Sequence, residues 1–533
     1  MPCRIFRVGV FFDGTGNSKK PDSSKGKMSN VAKLSDMYKQ GSFKDTLGRE
    51  TVSKMLYTNG VGTYDSDIEN AVNWIDRKYD KGGGGGGAKR INEMMSQLTV
   101  LLDAHPYDKS DPSKFTKREI DVFGFSRGAA MARDFVNTFY KKKTIQEDDK
   151  YGDVHFNFIG IYDTVGSFGK PGNPIDLKPK KEYMKYFDED YLPNGMQLGD
   201  EEFGIRDPKG NIKMIIGYAN NHEDLAAKIT ALKEEGWIDV ELVTVGSYRG
   251  HTAYAIHGKK PVDEFFEPYN FNLANGSAGH VYHLTAHDEI RKNFPLTDTK
   301  GVGEENSLIG VHSDIGGGYA PNEVEEFVYP AEWQSKEKAL IAAQKIAKEL
   351  NAKSLLGGWS VIQPVAITYH LDGEMLVRMG SHTVTLYKAK LQKTTNNTLS
   401  LVGLHLMYES AIKHNVPLNP VNEEIPAYLQ AYYAYAQKVK SSAYGYVETL
   451  QGQKIQQGLS HHPARDPAHK NDHKIASVGK YDAVVNDEPE AGNDAGYVDK
   501  NGKPVDGRRY PGLADHVERN IYHNNPDEAI LPA

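Results

Sequence analysis

Ser126 stands between small residues in the run Gly124-Phe125-Ser126-Arg127-Gly128. A serine hydroxyl is a poor nucleophile at neutral pH. It has to be aimed out of the fold, relieved of its proton by a nearby base, and matched by donors that receive an oxyanion. The Gly-x-Ser-x-Gly spacing answers the first need, because small flanking residues permit the strained strand-to-helix turn that exposes the hydroxyl. The flanks agree: Glu119-Ile120-Asp121-Val122-Phe123 has the composition of a strand, and Ala132, Phe135, Val136 and Phe139 share one face of a following helix. The Arg127 N–H at the start of that helix is one half of an oxyanion hole, helped by the helix dipole. Gly14 and Thr15, in the loop Asp13-Gly14-Thr15-Gly16-Asn17, are candidates for the other half, since glycine lets a backbone N–H come close.

A serine triad on a parallel sheet runs Ser, then acid, then His along the chain. Asp163 ends the next predicted strand (Val154 to Ile161) and is followed by the turn Thr164-Val165-Gly166, so it is the candidate acid, with a turn-capping Asp as the alternative. For the base the chain offers His280, His283, His287, His312 and His516. His312 is preferred. It follows the short apolar run Leu308-Ile309-Gly310-Val311, expected to be a strand, and opens the glycine-rich Ser313 to Tyr319, which allows a tight loop over a sheet edge. Asp13-Gly14-Thr15 after a hydrophobic strand is also similar to haloacid-dehalogenase-type phosphatases, but those place the nucleophilic aspartate two residues earlier, where Phe11 stands.

The elements that must position these residues alternate. Ile5 to Phe12 is a buried strand, 18–56 is expected to be a polar surface excursion, and 57–64 a loop. Gly82 to Gly87 is expected to be a flexible connector, because Ala88-Lys89-Arg90 lacks the Gly-Lys-Ser/Thr ending of a phosphate cradle. Ile91, Met94, Met95, Leu98, Leu101 and Leu102 recur at helical spacing. Further strands are expected at His280 to Thr285 and helices over 335–351 and Leu401 to Ile412. Strand, sharp turn, helix, strand is the order of an α/β-hydrolase-like, mostly parallel sheet with helices on both faces. Within 170–275 the texture changes to a small βαββ pattern, an inserted subdomain suited to a lid or a docking element. The expected organisation is therefore 1–170 and 276–420 as the two parts of the hydrolase domain, 171–275 as the insertion, and 421–533 as an extension.

Composition narrows the classes. A chain of 533 residues exceeds a single compact core. With 39% hydrophobic and 25% charged residues it is globular rather than disordered. A net charge of −7 gives no footprint for nucleic acid. One cysteine, Cys3, leaves no internal disulfide or thiolate zinc cluster. No apolar run reaches about 18 residues, and the first residues lack the apolar core of a signal peptide, so synthesis in the cytoplasm without a cleaved leader is expected. His461, His462, His469 and His473 are irregularly spaced in a polar stretch, which favours a solvated loop over a metal site. Neither a metal nor another cofactor is required by the chemistry above.

Seven blocks occur in an order that resembles one bacterial family. They are Phe11 to Asn17 (FFDGTGN), Asn59 to Thr63 (NGVGT), Gly124 to Ala129 (GFSRGA), Tyr162 to Gly166 (YDTVG), Asp288 to Arg291 with Phe294-Pro295, His312 to Tyr319 (HSDIGGGY) and Leu404 to Ala411. The family is that of the type VI secretion phospholipase effectors with a Tle1-like catalytic domain. The resemblance implies a triad carried by Ser126, Asp163 and His312. It also implies hydrolysis of acyl esters of membrane phospholipids, delivery to the periplasm of a rival bacterium, and as partners a secretion spike protein and a cognate immunity protein. A soluble metabolic esterase or thioesterase, and a non-catalytic binding protein on the same fold, are the alternatives. The segments 170–275 and beyond 420 carry no family motif.

Overall fold

The computed structural model describes residues 4–45, 48–61, 63, 87–111, 113–145, 151, 153–166, 177–179, 211–219, 223–248, 251–261, 266–289, 294–353, 358–370, 383–458, 519 and 521–531. A seven-stranded sheet organises the larger of two compact units, which comprises Met1–Tyr64, Asp80–Pro174 and Asn270–Ala533. Its strands are β1 (Arg4–Phe12), β2 (Gly41–Lys44), β3 (Glu50–Thr58), β4 (Lys117–Phe125), β5 (Val154–Tyr162), β6 (His280–Ala286) and β7 (Glu304–Leu308). Their order is β7-β6-β5-β4-β1-β3-β2, parallel throughout except for β2, which turns back on β3 at the edge.

A parallel sheet is covered on both faces, so its strands carry apolar residues on both. In β1, Phe6, Val8, Val10 and Phe12 are buried together with Phe11, whose side chain points the other way. Phe12 meets Phe135 of helix α3 (Arg127–Ile145) at 5.4 Å between ring centroids, whereas Phe11 stacks on Phe123 at 4.9 Å. Phe11 and Phe123 share a core with Val31 and Leu34 of α1 (Asn30–Met37) and with the buried face of α5 (Ser400–Lys413), while α2 (Gly87–Ala104) packs with α3. Of the six apolar positions expected to line α2, Ile91, Met94, Met95, Leu98 and Leu102 are buried. Helix α4 (His312–Gly316) and helix α6 (Ala427–Ala436) complete the elements used below.

Two expectations are corrected. The stretch 18–56 is not a surface excursion: it holds α1, β2 and β3, and β3 pairs with the whole length of β1. Thr51, Ser53 and Lys54 dilute its hydrophobicity, yet Thr51 and Ser53 are buried, and the Ser53 hydroxyl donates to the Lys39 carbonyl. The strand before His312 ends at Leu308 rather than running to Val311, and His312 begins α4. Gly310 at φ 114 makes the bend, because a side chain there would meet Asp314. Of the six-glycine run, only Gly87 lies within the described residues.

The smaller unit, Asp65–Tyr79 with Ile175–Tyr269, contains the βαββ pattern read from the sequence. Its strands are Asn211–Ala219, Ile238–Tyr248 and His251–Pro261, with helix Glu223–Glu234 and the last strand in the middle. A second set of the same topology occurs in the larger unit: Glu323–Trp333, helix Lys336–Lys353, Ser360–His370 and Thr383–Thr395, again with the last strand central. In both, a left-handed glycine and a buried tryptophan, Gly236-Trp237 and Gly358-Trp359, end the helix connection and lead into the second strand. Among the described residues no helix is long and apolar enough to cross a membrane.

The start of α3 is pressed against the end of β1. A Cβ on Gly128 would lie 2.3 Å from the Phe12 carbonyl oxygen and 2.4 Å from that of Asp13, both backbone atoms that cannot swing away. Gly128→Ala should therefore lower the unfolding free energy by at least about 2 kcal/mol in urea titrations, and a cost below about 0.5 kcal/mol would contradict the packing.

Candidate active site

Ser126 follows the last residue of β4 and precedes the first of α3, with φ at 60°. A non-glycine residue held there is strained and persists because its surroundings fix it. The Ser126 N–H donates to the Tyr162 carbonyl at 3.0 Å, and its own carbonyl accepts from Ala129 and Ala130 at 3.0 and 3.3 Å and from Val165 at 3.3 Å. Gly124 is required, since a Cβ would fall 2.5 Å from the Gly128 carbonyl oxygen. Asp163, just after β5, is the second strained residue, at φ 39°, and its N–H donates to the Leu284 carbonyl at 2.7 Å. The Ser126 backbone is thus bonded to residues on either side of Asp163, at the carboxyl ends of neighbouring parallel strands, where sites in open α/β sheets form.

His312 reaches this point from α4. Its Nδ1 lies 2.5 Å from Asp163 Oδ2. The imidazole is flanked by the ring of Phe125 at 4.6 Å, the residue before Ser126, and by Phe294 edge-on at 4.9 Å. Asp163 is fully buried. Its Oδ1 accepts from the Ala286 N–H at 2.9 Å and from Arg519 at 2.7 Å, and its Oδ2 accepts from His312 and from Arg519 at 2.9 Å. Burial works against ionisation, but the Arg519 charge and the His312 hydrogen bond outweigh it and hold the carboxyl well below the usual carboxylate range. An ionised carboxylate only accepts, so the proton between the two residues sits on Nδ1 and the basic position of the ring is Nε2.

The other candidate histidines are placed differently. His283 is buried, its Nδ1 at 2.8 Å from Glu305 and its Nε2 accepting from the Thr164 N–H at 3.2 Å, so it holds the residue after Asp163 in place. Burial opposes ionisation of Glu305, but its bonds to His283 and Thr299 bring its carboxyl down to about 2. His280 stacks on His414 at 3.8 Å, and His287 stacks on Tyr444. His516 and the four histidines between 461 and 473 lie outside the described residues, as do Ile290 and Arg291.

The loop after β1 packs beside the elbow: a Cβ on Gly14 would lie 2.5 Å from the Phe125 ring. The Gly14 N–H already has an acceptor, Asp13 Oδ1 at 2.7 Å. The Thr15 hydroxyl is buried without a hydrogen-bond partner among the described residues. Arg127 is the first residue of α3, and amides of a first turn have no intrahelical acceptor. Asp13 itself is buried and accepts from the Ser29 hydroxyl, which also caps α1, and from the Tyr57 hydroxyl, each at 2.5 Å. Burial pushes its carboxyl up to about 6, with those hydrogen bonds opposing.

A strained serine at a strand-to-helix turn, a buried acid and an acid-bound histidine are thus assembled at the carboxyl ends of β4 and β5, within the sheet rather than at its edge. Residues 7–142 match the family described as "T6SS, Phospholipase effector Tle1-like, catalytic domain". The Tle1-like match spans β1, the Asp13–Asn17 loop, the elbow and most of α3; Asp163 and His312 lie beyond it. No curated protein matches the chain. Among solved structures, one described as the Tle1 effector bound to the VgrG spike from the Type 6 secretion system is similar at 18% identity and a TM-score of 0.49, over 87% of this chain and 85% of that one. An uncharacterized protein from Pseudomonas aeruginosa is similar at 18% identity and a TM-score of 0.36, over 82% of this chain and 51% of that one.

Sequence reasoning missed Arg519, the His283–Glu305 pair and the bonds around Asp13. Asp13 had a signal in its place in FFDGTGN, and His283 stood among the candidate histidines without its partner Glu305. The raised Asp13 carboxyl has a definite sign. The folded state holds a proton on it between pH 3.8, the ordinary value, and about 6, so this group's contribution is present below that window and lost as pH rises through it. Asp13→Asn should gain stability relative to the parent protein across that window and keep the gain above it. Urea midpoints of the two proteins measured from pH 4 to 7.5 check this, and parallel curves would contradict it.

Proposed function

We propose that this protein is a serine hydrolase that cleaves acyl esters of membrane phospholipids, acting as an antibacterial effector of type VI secretion. The observation that carries the chemistry is the His312–Asp163 hydrogen bond beside the strained Ser126. The substrate class, the delivery route, and with them a spike partner and a cognate immunity protein, rest on the family matched by residues 7–142.

In this reading His312 Nε2 takes the proton of the Ser126 hydroxyl as Oγ adds to the ester carbonyl. The oxyanion is received by the Arg127 N–H at the head of α3 and by Thr15, the loop residue whose buried hydroxyl has no hydrogen-bond partner among the described residues. Collapse breaks the ester C–O bond; the leaving alkoxide takes the proton back from His312, and the acyl group stays on Ser126. Water then adds with His312 as base, and the fatty acid leaves as Ser126 regains its proton. Asp163 keeps the ring in the Nδ1–H tautomer and stabilises its cationic form.

Lipid product analysis on phospholipid vesicles tests the reading. The parent protein should release free fatty acid and lysophospholipid in equal amounts. Ser126→Ala should lower the rate by several orders of magnitude, with about 10³–10⁴ over water surviving from binding and oxyanion stabilisation. Asp163→Asn should cost on the order of 10⁴, as loss of the tautomer lock does in serine-protease triads. Unchanged fatty-acid release by Ser126→Ala, or His312→Ala as active as the parent, would sink the proposal.

A further inference from the structure

The family blocks end near residue 411, yet the hydrogen bonds of Asp163 come partly from a residue 356 positions further along the chain. We propose that Arg519 is a positioning residue of the Ser126–Asp163–His312 site, gripping both oxygens of Asp163 and so fixing the direction and the field of the carboxylate that His312 meets. The proposal rests on the triad reading above.

The grip is a two-pronged one, NH1 to Oδ1 at 2.7 Å and NH2 to Oδ2 at 2.9 Å, between side chains that are both buried. Arginine's planar fork matches a carboxylate in this way and leaves it little freedom to rotate. The guanidinium is itself held, since Nε donates to the Phe294 carbonyl at 2.6 Å. Phe294 is also the residue whose ring flanks His312. The segment that carries Arg519 is bonded into the same unit: Ile521–Tyr522 pairs in parallel with Leu296–Thr297. The buried Asn524 accepts from Arg133 of α3 at 3.1 Å and from the Leu273 N–H at 2.7 Å, and the Ile530 N–H donates to Asn137 of α3 at 2.7 Å. The helix that starts at the nucleophile is therefore tied to the segment that holds the acid.

The charge balance gives this arrangement a consequence that packing alone would not have. With His312 neutral, Asp163 and Arg519 cancel; when His312 takes a proton the cluster carries one net positive charge. Arg519 therefore opposes protonation of His312 and keeps it a base further into the acid range. Among the described residues, Glu289 accepts from the backbone N–H of His312, and Asp314 and Asp288 accept from the N–H groups of Val311 and Gly310; none of these bonds involves Arg519.

The test is the pH dependence of covalent labelling by a fluorophosphonate, which needs no lipid, on the full chain. In Arg519→Met and Arg519→Gln the plateau rate should fall about tenfold or more, and the midpoint of the acid limb should move up by on the order of one pH unit. Arg519→Lys keeps the charge without the fork, and should lower the plateau while leaving the midpoint near that of the parent. An unmoved midpoint in either neutral variant, even with a lower plateau, means that Arg519 only supports the fold and overturns the proposal. Should neither neutral variant fold, Arg519→Lys decides: a plateau equal to that of the parent overturns it. Labelling of Ser126→Ala at the rate of the parent would instead refute the triad reading, a result distinct from any Arg519 outcome.

Discussion

A carboxylate buried away from solvent stays ionised only if donors surround it, and Asp163 is surrounded by four contacts from three directions. This one group ties together parts of the chain that are far apart in sequence. Ala286 brings the end of β6, His312 brings α4, and Arg519 brings the segment beyond 518. Its own backbone strain at φ 39° is held by the Leu284 carbonyl on one side and by Thr164, bonded to His283, on the other. Removing any of these would leave either a buried charge short of a partner or a strained residue short of a restraint.

The same end of the sheet holds the second strained residue. Ser126 can keep φ 60° because Gly124 and Gly128 let the backbone of β4, α3 and β1 come into contact, at distances no side chain would allow. The loop after β1 is fixed by Asp13, whose carboxylate holds the Gly14 N–H, the Ser29 cap of α1 and the Tyr57 hydroxyl at the end of β3. That loop leans on Phe125, and Phe125 leans on His312. The site is thus a set of short contacts among strand ends rather than a pocket made by one element.

What could be read in the sequence follows from how local its signal is. The elbow is local: the glycines, the strand before it and the helical face after it fall within about twenty residues, so Ser126 and its two elements are legible. Asp163 and His312 are legible because each stands just after an apolar run and before a glycine-bearing turn, although the strand before His312 is shorter than its apolar run. β3 is hidden because Thr51 and Ser53 fill buried positions with hydroxyl side chains, which breaks both the apolar run and the alternation by which a strand is read. The second βαββ set shows only its helix, since its strands mix lysine, glutamate and threonine with apolar residues. Arg519 carries no local pattern at all. Its role exists only through a contact across 356 positions, which no spacing rule reaches.

The central claim is that Ser126 is the nucleophile and His312, oriented by Asp163, is its base. The most direct measurement is the site of the covalent adduct: the protein is reacted with a fluorophosphonate, digested, and the modified residue located by mass spectrometry. The account predicts a single adduct on Ser126, lost in His312→Ala while that variant remains folded. An adduct on another serine, or an undiminished Ser126 adduct in His312→Ala, would contradict it.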